Sequence, residues 1–393
     1  MPIDVELARQ DTAGCAGVTH LNNAGASLPP RQVVDAVVDH LRLEERSGGY
    51  EAAAAAAGRI EHTYDALAEL IGAGRHEIAL HENATRAWDM AFYGLRWQPG
   101  DRILTSRSEY ASNAIAYLQT ADRYGVQVEL VPDDEHGQVS VPALRELVDE
   151  RVKLIGITHV PTQGGLVNPA AEIGAVARAA GAVYLLDACQ SIGQLPVDVR
   201  EIGCDLLTAP GRKYLRGPRG TGFLYCSERL LDTLEPPFLD LSSASWTGPD
   251  SYRVRDDARR FESWESSLAG RIGLGVAVDY ALGLGLPAIE ARVTALAAGL
   301  RERLLALPGV TLHDRGTRQC GIVSFTVAGH DSAALVPELR AQRINVSAAL
   351  LGSARWDLAE RGLESLLRAS VHYYNTEEEL DRLCAALPAP LPG

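Results

Sequence analysis

The sequence predicts an α/β fold: a largely parallel sheet covered by helices on both faces, followed by a smaller α+β lobe. Three observations carry this. Short apolar runs alternate with helical segments such as "VPALRELVDE" and "AAEIGAVARAAG", which is the βα rhythm of a parallel sheet. A stretch rich in Pro, Ser, Gly and Asp then breaks the rhythm. Finally, 393 residues with 46% hydrophobic content exceed the usual size of one compact unit.

Along the chain, "YEAAAAAAGRIEHTYDALAELIG" has the propensity of a helix and carries no evident chemistry. The strand runs are "RILTSRSE", "VQVELVPDD", "VKLIGITHV", "AVYLLDACQS", "DLLTAPGRK" and "GTGFLYCSE". Ligands belong at the carboxyl ends of such strands. The interruption, "PPFLDLSSASWTGPDSYRVRDDARRFESWESS", reads as a long ordered loop because it holds Phe261, Trp246 and Trp264. The tryptophans suit either a partner's pocket or, with Trp356, the interior. Helical patterns follow over 267–307. "GIVSFTVAG", "DSAALVPELRAQ" and "INVSAAL" then form the small lobe, which closes with "LLRASVHYYNTEEELDRLCAAL". The terminal "PAPLPG" is expected to fray.

A formal charge of −14 argues against electrostatic capture of nucleic acid or acidic membranes, since both need a basic face. No run of about eighteen apolar residues occurs, and the N-terminus lacks the blocks of a signal peptide, so a cytoplasmic location is expected. The six cysteines are scattered without zinc-type spacing, which predicts reduced thiols and no metal.

Only two of the 37 basic residues are lysines, Lys153 and Lys213. Lysine, unlike arginine, can lose its proton near neutral pH and attack a carbonyl, so Lys213 is a Schiff-base candidate. Lys153 opens an apolar strand and is read as incidental. Asp187 follows a run of apolar residues at the end of "VYLLD". A carboxylate there needs a cationic partner, such as a protonated ring nitrogen, or else an N-cap or an arginine. "ENATRAWDMAFYGL" has the form of an anion cradle, with Asn83 or Thr85 capping a helix whose free amides face an anion.

With these residues in place, the chain resembles the class V aminotransferases, which include the cysteine desulfurases and isopenicillin epimerase-like proteins. The resemblance runs from "HLNNAGASLPP" to "RASVHYYNTEEELDRL" and implies fold-type I architecture with a seven-stranded sheet, pyridoxal 5'-phosphate as cofactor, and a homodimer with its site at the subunit boundary. It implies a segment 1–20 packed on the small domain, a large cofactor domain 21–265 and a small domain 266–393. "TAPGRKYLRGPRGTGFLY" makes Lys213 the amine that condenses with the cofactor. "LLDACQSIGQLPVDV" places Asp187 on the ring nitrogen and Gln190 near the phenolic oxygen. Ala84 and Thr85 fall on the phosphate, Tyr110 of "SEYASN" on the ring face, and Thr162 where desulfurases place an asparagine. Arg368 is assigned to the substrate α-carboxylate, with Asn23 also on the substrate side. Lys213, Tyr110 and Asp187 are the expected catalytic set.

Some positions depart from the family pattern. Pro210, Gly211 and Arg212 replace the Ser-Gly-His of desulfurases, so Arg212 is expected to act as a charged phosphate clamp. Glu265 stands where relatives place a threonine on the partner's phosphate, with Ser266 as a possible substitute. The loop between "INVSAALLGSARWDLAERG" and Arg368 lacks the cysteine that takes sulfur as a persulfide, and Cys189 and Cys320 are read as packed thiols. The closest motif likeness is to carbon–sulfur lyases of the ergothioneine and lincosamide pathways. It implies β-elimination from an S-substituted cysteine in a sulfur-containing natural-product pathway, with decarboxylating oxidative deamination, transamination or epimerisation as alternatives. A catalytically silent binding protein is the non-enzyme alternative, disfavoured by Lys213, Asp187, Gln190 and Arg368 occurring together.

Overall fold

A computed structural model describes residues 2–391. Its strands begin with β1 (Thr19–His20), followed by β2 (Ile78–His81), β3 (Arg102–Ser106), β4 (Gln127–Val131), β5 (Val152–Thr158), β6 (Val183–Asp187), β7 (Leu206–Pro210) and β8 (Gly222–Cys226). Strands β2 to β8 form one sheet in the order β2-β8-β7-β6-β5-β3-β4. The five strands from β7 to β4 run parallel, while β8 alone is reversed, pairing antiparallel with β7 and with the edge strand β2. Every residue of β6 and β7 is buried, as expected of central strands covered on both faces. Their register aligns Thr158, Asp187 and Thr208 side by side, so the ends of β5, β6 and β7 meet along one line.

The interrupting stretch is more regular than a loop. It forms a hairpin of β9 (Ala244–Gly248) and β10 (Ser251–Val254), then a short 3₁₀ turn that buries Phe261. Trp246 and Trp264 are exposed, which corrects the interior alternative for both. A second sheet follows, from β11 (Val310–Leu312), β12 (Ile322–Val327), β14 (Ser347–Leu350) and β15 (Ser365–Ser370), in the order β11-β12-β15-β14. The intervening β13 (Ile344–Asn345) instead pairs in parallel with β1, which joins the start of the chain to this C-terminal unit.

Three local departures have physical causes. The alanine-rich segment is two helices, Gly49–Ala55 and Ala57–Ile71, broken at Ala56, which packs with Ala36 and Ile272. The helical stretch after residue 267 turns by 80° between Leu268–Leu284 and Leu286–Leu305. Gly285 sits at that break with φ of 84°, a conformation that costs glycine little. The C-terminal tail does not fray as far as Leu391, whose amide donates to the Ala328 carbonyl at 3.1 Å, and residues 392–393 lie outside the described residues. No single helix among the described residues is long and apolar enough to cross a membrane.

Arg216, three residues beyond Lys213, fixes the loop after β7. Its guanidinium donates to Tyr373 Oη at 2.7 Å and, through Nε, to the Leu28 carbonyl at 2.8 Å. It also bonds Thr12 and lies 4.6 Å from the Tyr374 ring centroid. One buried cation thus ties the lysine loop to both ends of the chain.

Strand β8 passes the start of the helix Ala84–Phe92 so closely that a Cβ on Gly222 would lie 2.7 Å from the Asn83 carbonyl carbon and 2.8 Å from the Ala84 nitrogen. Both neighbours are backbone and cannot swing aside. Gly222→Ala is therefore expected to destabilise the fold by about 1–3 kcal/mol, read as a lower urea midpoint with unchanged slope.

Candidate active site

The aligned ends of β5, β6 and β7 open into one pocket. Asp187 ends β6, Lys213 follows β7, and Asn83, Ala84 and Thr85 enter from the helix beside β8. Tyr110, Thr162, Gln190 and Arg212 complete the predicted lining. Arg368 reaches the same place from β15, donating from Nη1 to the Thr162 carbonyl at 2.6 Å and to Thr162 Oγ1 at 2.8 Å. The sequence reading thus has nine of its ten named site residues meeting here.

The tenth, Asn23, is a correction. Its side chain is fully buried; its amide donates to the Ser370 carbonyl at 2.7 Å, and its oxygen accepts from Tyr374 Oη at 2.5 Å. Both ends of the side chain are occupied in joining the N-terminal segment to the "HYYN" turn, and Asn23 does not line the pocket.

Lys213 Nζ has no hydrogen bond or ion pair among the described residues, and burial lowers the proton affinity of its amine. Asp187 has no cationic side chain bonded to it among the described residues. Its oxygens accept from the Cys189 amide at 2.9 Å and from Asn113 Nδ2 at 3.0 Å. Burial likewise lowers the pKa of Arg368, to about 10, and that of Arg212. Arg212 donates to the Gly25 carbonyl and forms no ion pair among the described residues.

The anion cradle is a capped helix start. Asn83 Oδ1 accepts from the Arg86 amide at 2.8 Å, leaving the amides of Ala84 and Thr85 at the positive end of the nine-residue helix Ala84–Phe92. Gln190 donates to the Ala24 carbonyl at 3.1 Å and to Thr162 Oγ1 at 3.3 Å, while its Oε1 is buried without a partner. Tyr110 precedes the helix Ala111–Tyr124, is 38% exposed and lines the pocket.

Two features escaped the sequence reading. Cys189 lines the pocket rather than packing elsewhere, but burial and the neighbouring Asp187 push its thiol well above the usual range, which disfavours the nucleophilic thiolate. Glu109 lies buried beneath Tyr110, with its carboxyl raised to about 7, chiefly by burial. The spacing of Glu109 and Asn113, one helical turn apart in "SEYASN", was the available signal.

These residues fit pyridoxal phosphate. An amine without a partner, an acid without a cation and a capped helix start supply complementary contacts for its aldehyde, ring nitrogen and phosphate.

The family model described as aminotransferase class-V matches residues 19–383. A probable cysteine desulfurase of Methanothermobacter thermautotrophicus is 32% identical over 384 residues, covering 96% of each chain. A cysteine desulfurase of Pectobacterium atrosepticum is 30% identical, covering 94% of this chain and 92% of its own. Among solved structures, an apo cysteine desulfurase from Thermococcus onnurineus superposes with a TM-score of 0.91 at 28% identity, covering 98% and 97% of the two chains. The cystine C-S lyase C-DES, in complex with its product cysteine persulfide, gives 0.87 at 26%, covering 96% of this chain and 100% of its own.

Because Glu109 holds its proton up to about pH 7 when folded and to about 4.3 when unfolded, it favours the cofactor-free fold below the lower value. That contribution, on the order of 3 kcal/mol, is lost as pH rises between the two. Buried histidines such as His81 and His159, whose pKa values burial lowers, contribute the opposite slope. The Glu109 contribution is therefore read as the stability difference between wild type and Glu109→Gln in urea denaturation of cofactor-free protein, which is expected to shift against wild type as pH rises from 4.5 to 8.

Proposed function

The chain belongs to the class V aminotransferase family, and from that premise we propose that it is a pyridoxal phosphate-dependent carbon–sulfur lyase acting on an S-substituted L-cysteine. The observation that carries this reading is the placement of its thiols. Among the described residues no cysteine lies between β14 and β15, where a short turn and the helix Arg355–Glu360 stand instead. That helix is tied down by Asp357, which accepts from Arg361 and from Gln163, each at 3.1 Å. Cys189 is the one thiol on the pocket wall, and its raised pKa suits it poorly to take up sulfur. Sulfur then leaves with the group it already carries. The relative described as a cystine C-S lyase supports the same reading, since cystine is itself an S-substituted cysteine.

Pyridoxal phosphate bound here supplies an electron sink that makes the substrate Cα–H acidic. Ala84 and Thr85 hold its phosphate, with Arg212 adding a cation nearby. Tyr110 and Gln190 would stand beside its ring, and Asp187 would balance the charge on the ring nitrogen. Arg368, steadied by Thr162 through Nη1 and by Ser347 through Nε, has Nη2 left to donate to the substrate carboxylate. The Lys213 amine, neutral more readily because it is buried, takes the Cα proton. The electrons of that bond form the Cα–Cβ double bond as Cβ–S breaks, and sulfur departs as a thiol after gaining a proton. With one water consumed, the products are thiol, pyruvate and ammonia. We place the reaction in a sulfur-containing natural-product pathway of the cytoplasm.

The exposed apolar side chains of Phe238, Leu241, Trp246 and Tyr252 gather around the β9–β10 hairpin, and we assign this face to a second copy that closes the pocket.

Three outcomes are expected. The holoenzyme supplied with a cysteine S-conjugate releases pyruvate and thiol in equal amounts; aldehyde with carbon dioxide, or keto acid with transfer of the amine, contradicts the assignment. Arg368→Leu raises KM for the conjugate by about tenfold or more while the bound cofactor keeps its visible spectrum, because the lost contact is to substrate. Light scattering gives a dimer, which Trp246→Asp weakens.

A further inference from the structure

The buried acid beneath the pocket has a geometry that its role as a space-filler does not require. Glu109 Oε1 accepts from the Tyr110 amide at 2.7 Å, from Asn113 Nδ2 at 3.0 Å and from Thr158 Oγ1. Its other oxygen accepts from Thr105 Oγ1 at 2.9 Å. Four donors converge on one carboxyl that is 2% exposed, and no Lys, Arg or His is bonded to it among the described residues. The Asn113 amide has two hydrogens. One goes to Glu109 and the other, also at 3.0 Å, to Asp187 Oδ2. A single neutral amide therefore bridges two carboxyls, and only the second of them lines the pocket.

We propose that Glu109 is a positioning residue that, through Asn113, fixes the orientation of Asp187 and sets how firmly the ring nitrogen of bound pyridoxal phosphate holds its proton. This rests on the cofactor assignment above and goes beyond it. A carboxylate at Glu109 adds negative charge behind Asp187 and stabilises a cation in front of it; a neutral Glu109 withdraws that support. The reciprocal effect follows, since a protonated ring nitrogen at Asp187 favours the ionised form of Glu109. Burial brings the Glu109 carboxyl to about 7 in the cofactor-free protein, so a modest bias decides its state near neutrality. Titratable groups facing the pair are few. Tyr117, from the same helix as Asn113, has its hydroxyl pushed well up by burial and stays neutral, as does Cys189 beyond Asp187. Lys213 shares the pocket with Asp187, and burial lowers its proton affinity.

The test reads the ring nitrogen itself rather than turnover. Wild type, Glu109→Gln and Thr158→Val are loaded with ¹⁵N-labelled pyridoxal phosphate, and the nitrogen resonance is followed from pH 6 to 10. Gln keeps the shape and removes the charge. Val removes one donor that stabilises the ionised acid, so it acts in the same direction with little change of volume. The midpoint for loss of the ring proton is expected to fall by about one pH unit or more in Glu109→Gln and by less in Thr158→Val. If Glu109→Gln does not fold, Thr158→Val decides the question. Variants that bind the cofactor with the wild-type midpoint would overturn the proposal while leaving the cofactor assignment intact. A wild-type protein that takes up no pyridoxal phosphate would overturn both.

Discussion

Unpaired charge in a buried cleft is the constraint on which the rest of the structure depends. Arg212, Lys213 and Arg368 converge on a pocket whose one carboxylate wall is Asp187, and none of the four forms an ion pair among the described residues. Leaving ions unmatched in a cleft is costly, and an arrangement like this marks a site that a ligand would complete. An anionic cofactor with a basic ring and an amino-acid carboxylate would supply the missing charges of both signs. The lowered proton affinities of Lys213 and both arginines express the same constraint.

The fold meets the constraint with rigid supports. Asp187 sits in register between Thr158 and Thr208 on three fully paired strands, so its position is set by the sheet rather than by a loop. Arg216 holds the lysine loop against tyrosines from the C-terminal "HYYN" turn and the N-terminal carbonyl of Leu28. Arg368 belongs to the second sheet yet bonds Thr162, which also accepts from Gln190. The residues proposed for substrate and for cofactor are thereby coupled across the two sheets through one threonine.

Most of the fold was legible because strands read as short apolar runs between helical segments, and six of the seven large-sheet strands stand out, including the half-exposed edge strand β4 and the antiparallel β8. β2 did not, since four residues after a glycine-rich turn give too short a pattern to distinguish from a loop. The candidate site was legible where residue type marked it: Lys213, one of two lysines among the arginines, and Asp187, an acid at the end of an apolar strand, both line the pocket. Glu109 was not, because an acid beside Tyr110 looks like solvated surface until the chain brings Thr105, Thr158 and Asn113 around it. Asn23 misled for the converse reason: its partners, Ser370 and Tyr374, lie about 350 residues away in sequence, and local pattern says nothing of them. The hairpin at β9–β10 was hidden by turn-forming residues that also suit a loop.

The central claim is that one amine, on Lys213, bonds the cofactor. Borohydride reduction of the pyridoxal phosphate-loaded protein, followed by protease digestion and peptide mass mapping, tests it most directly. The account predicts the reduced pyridoxyl label on the peptide carrying Lys213 and nowhere else; a label on Lys153, or none at all, would contradict it.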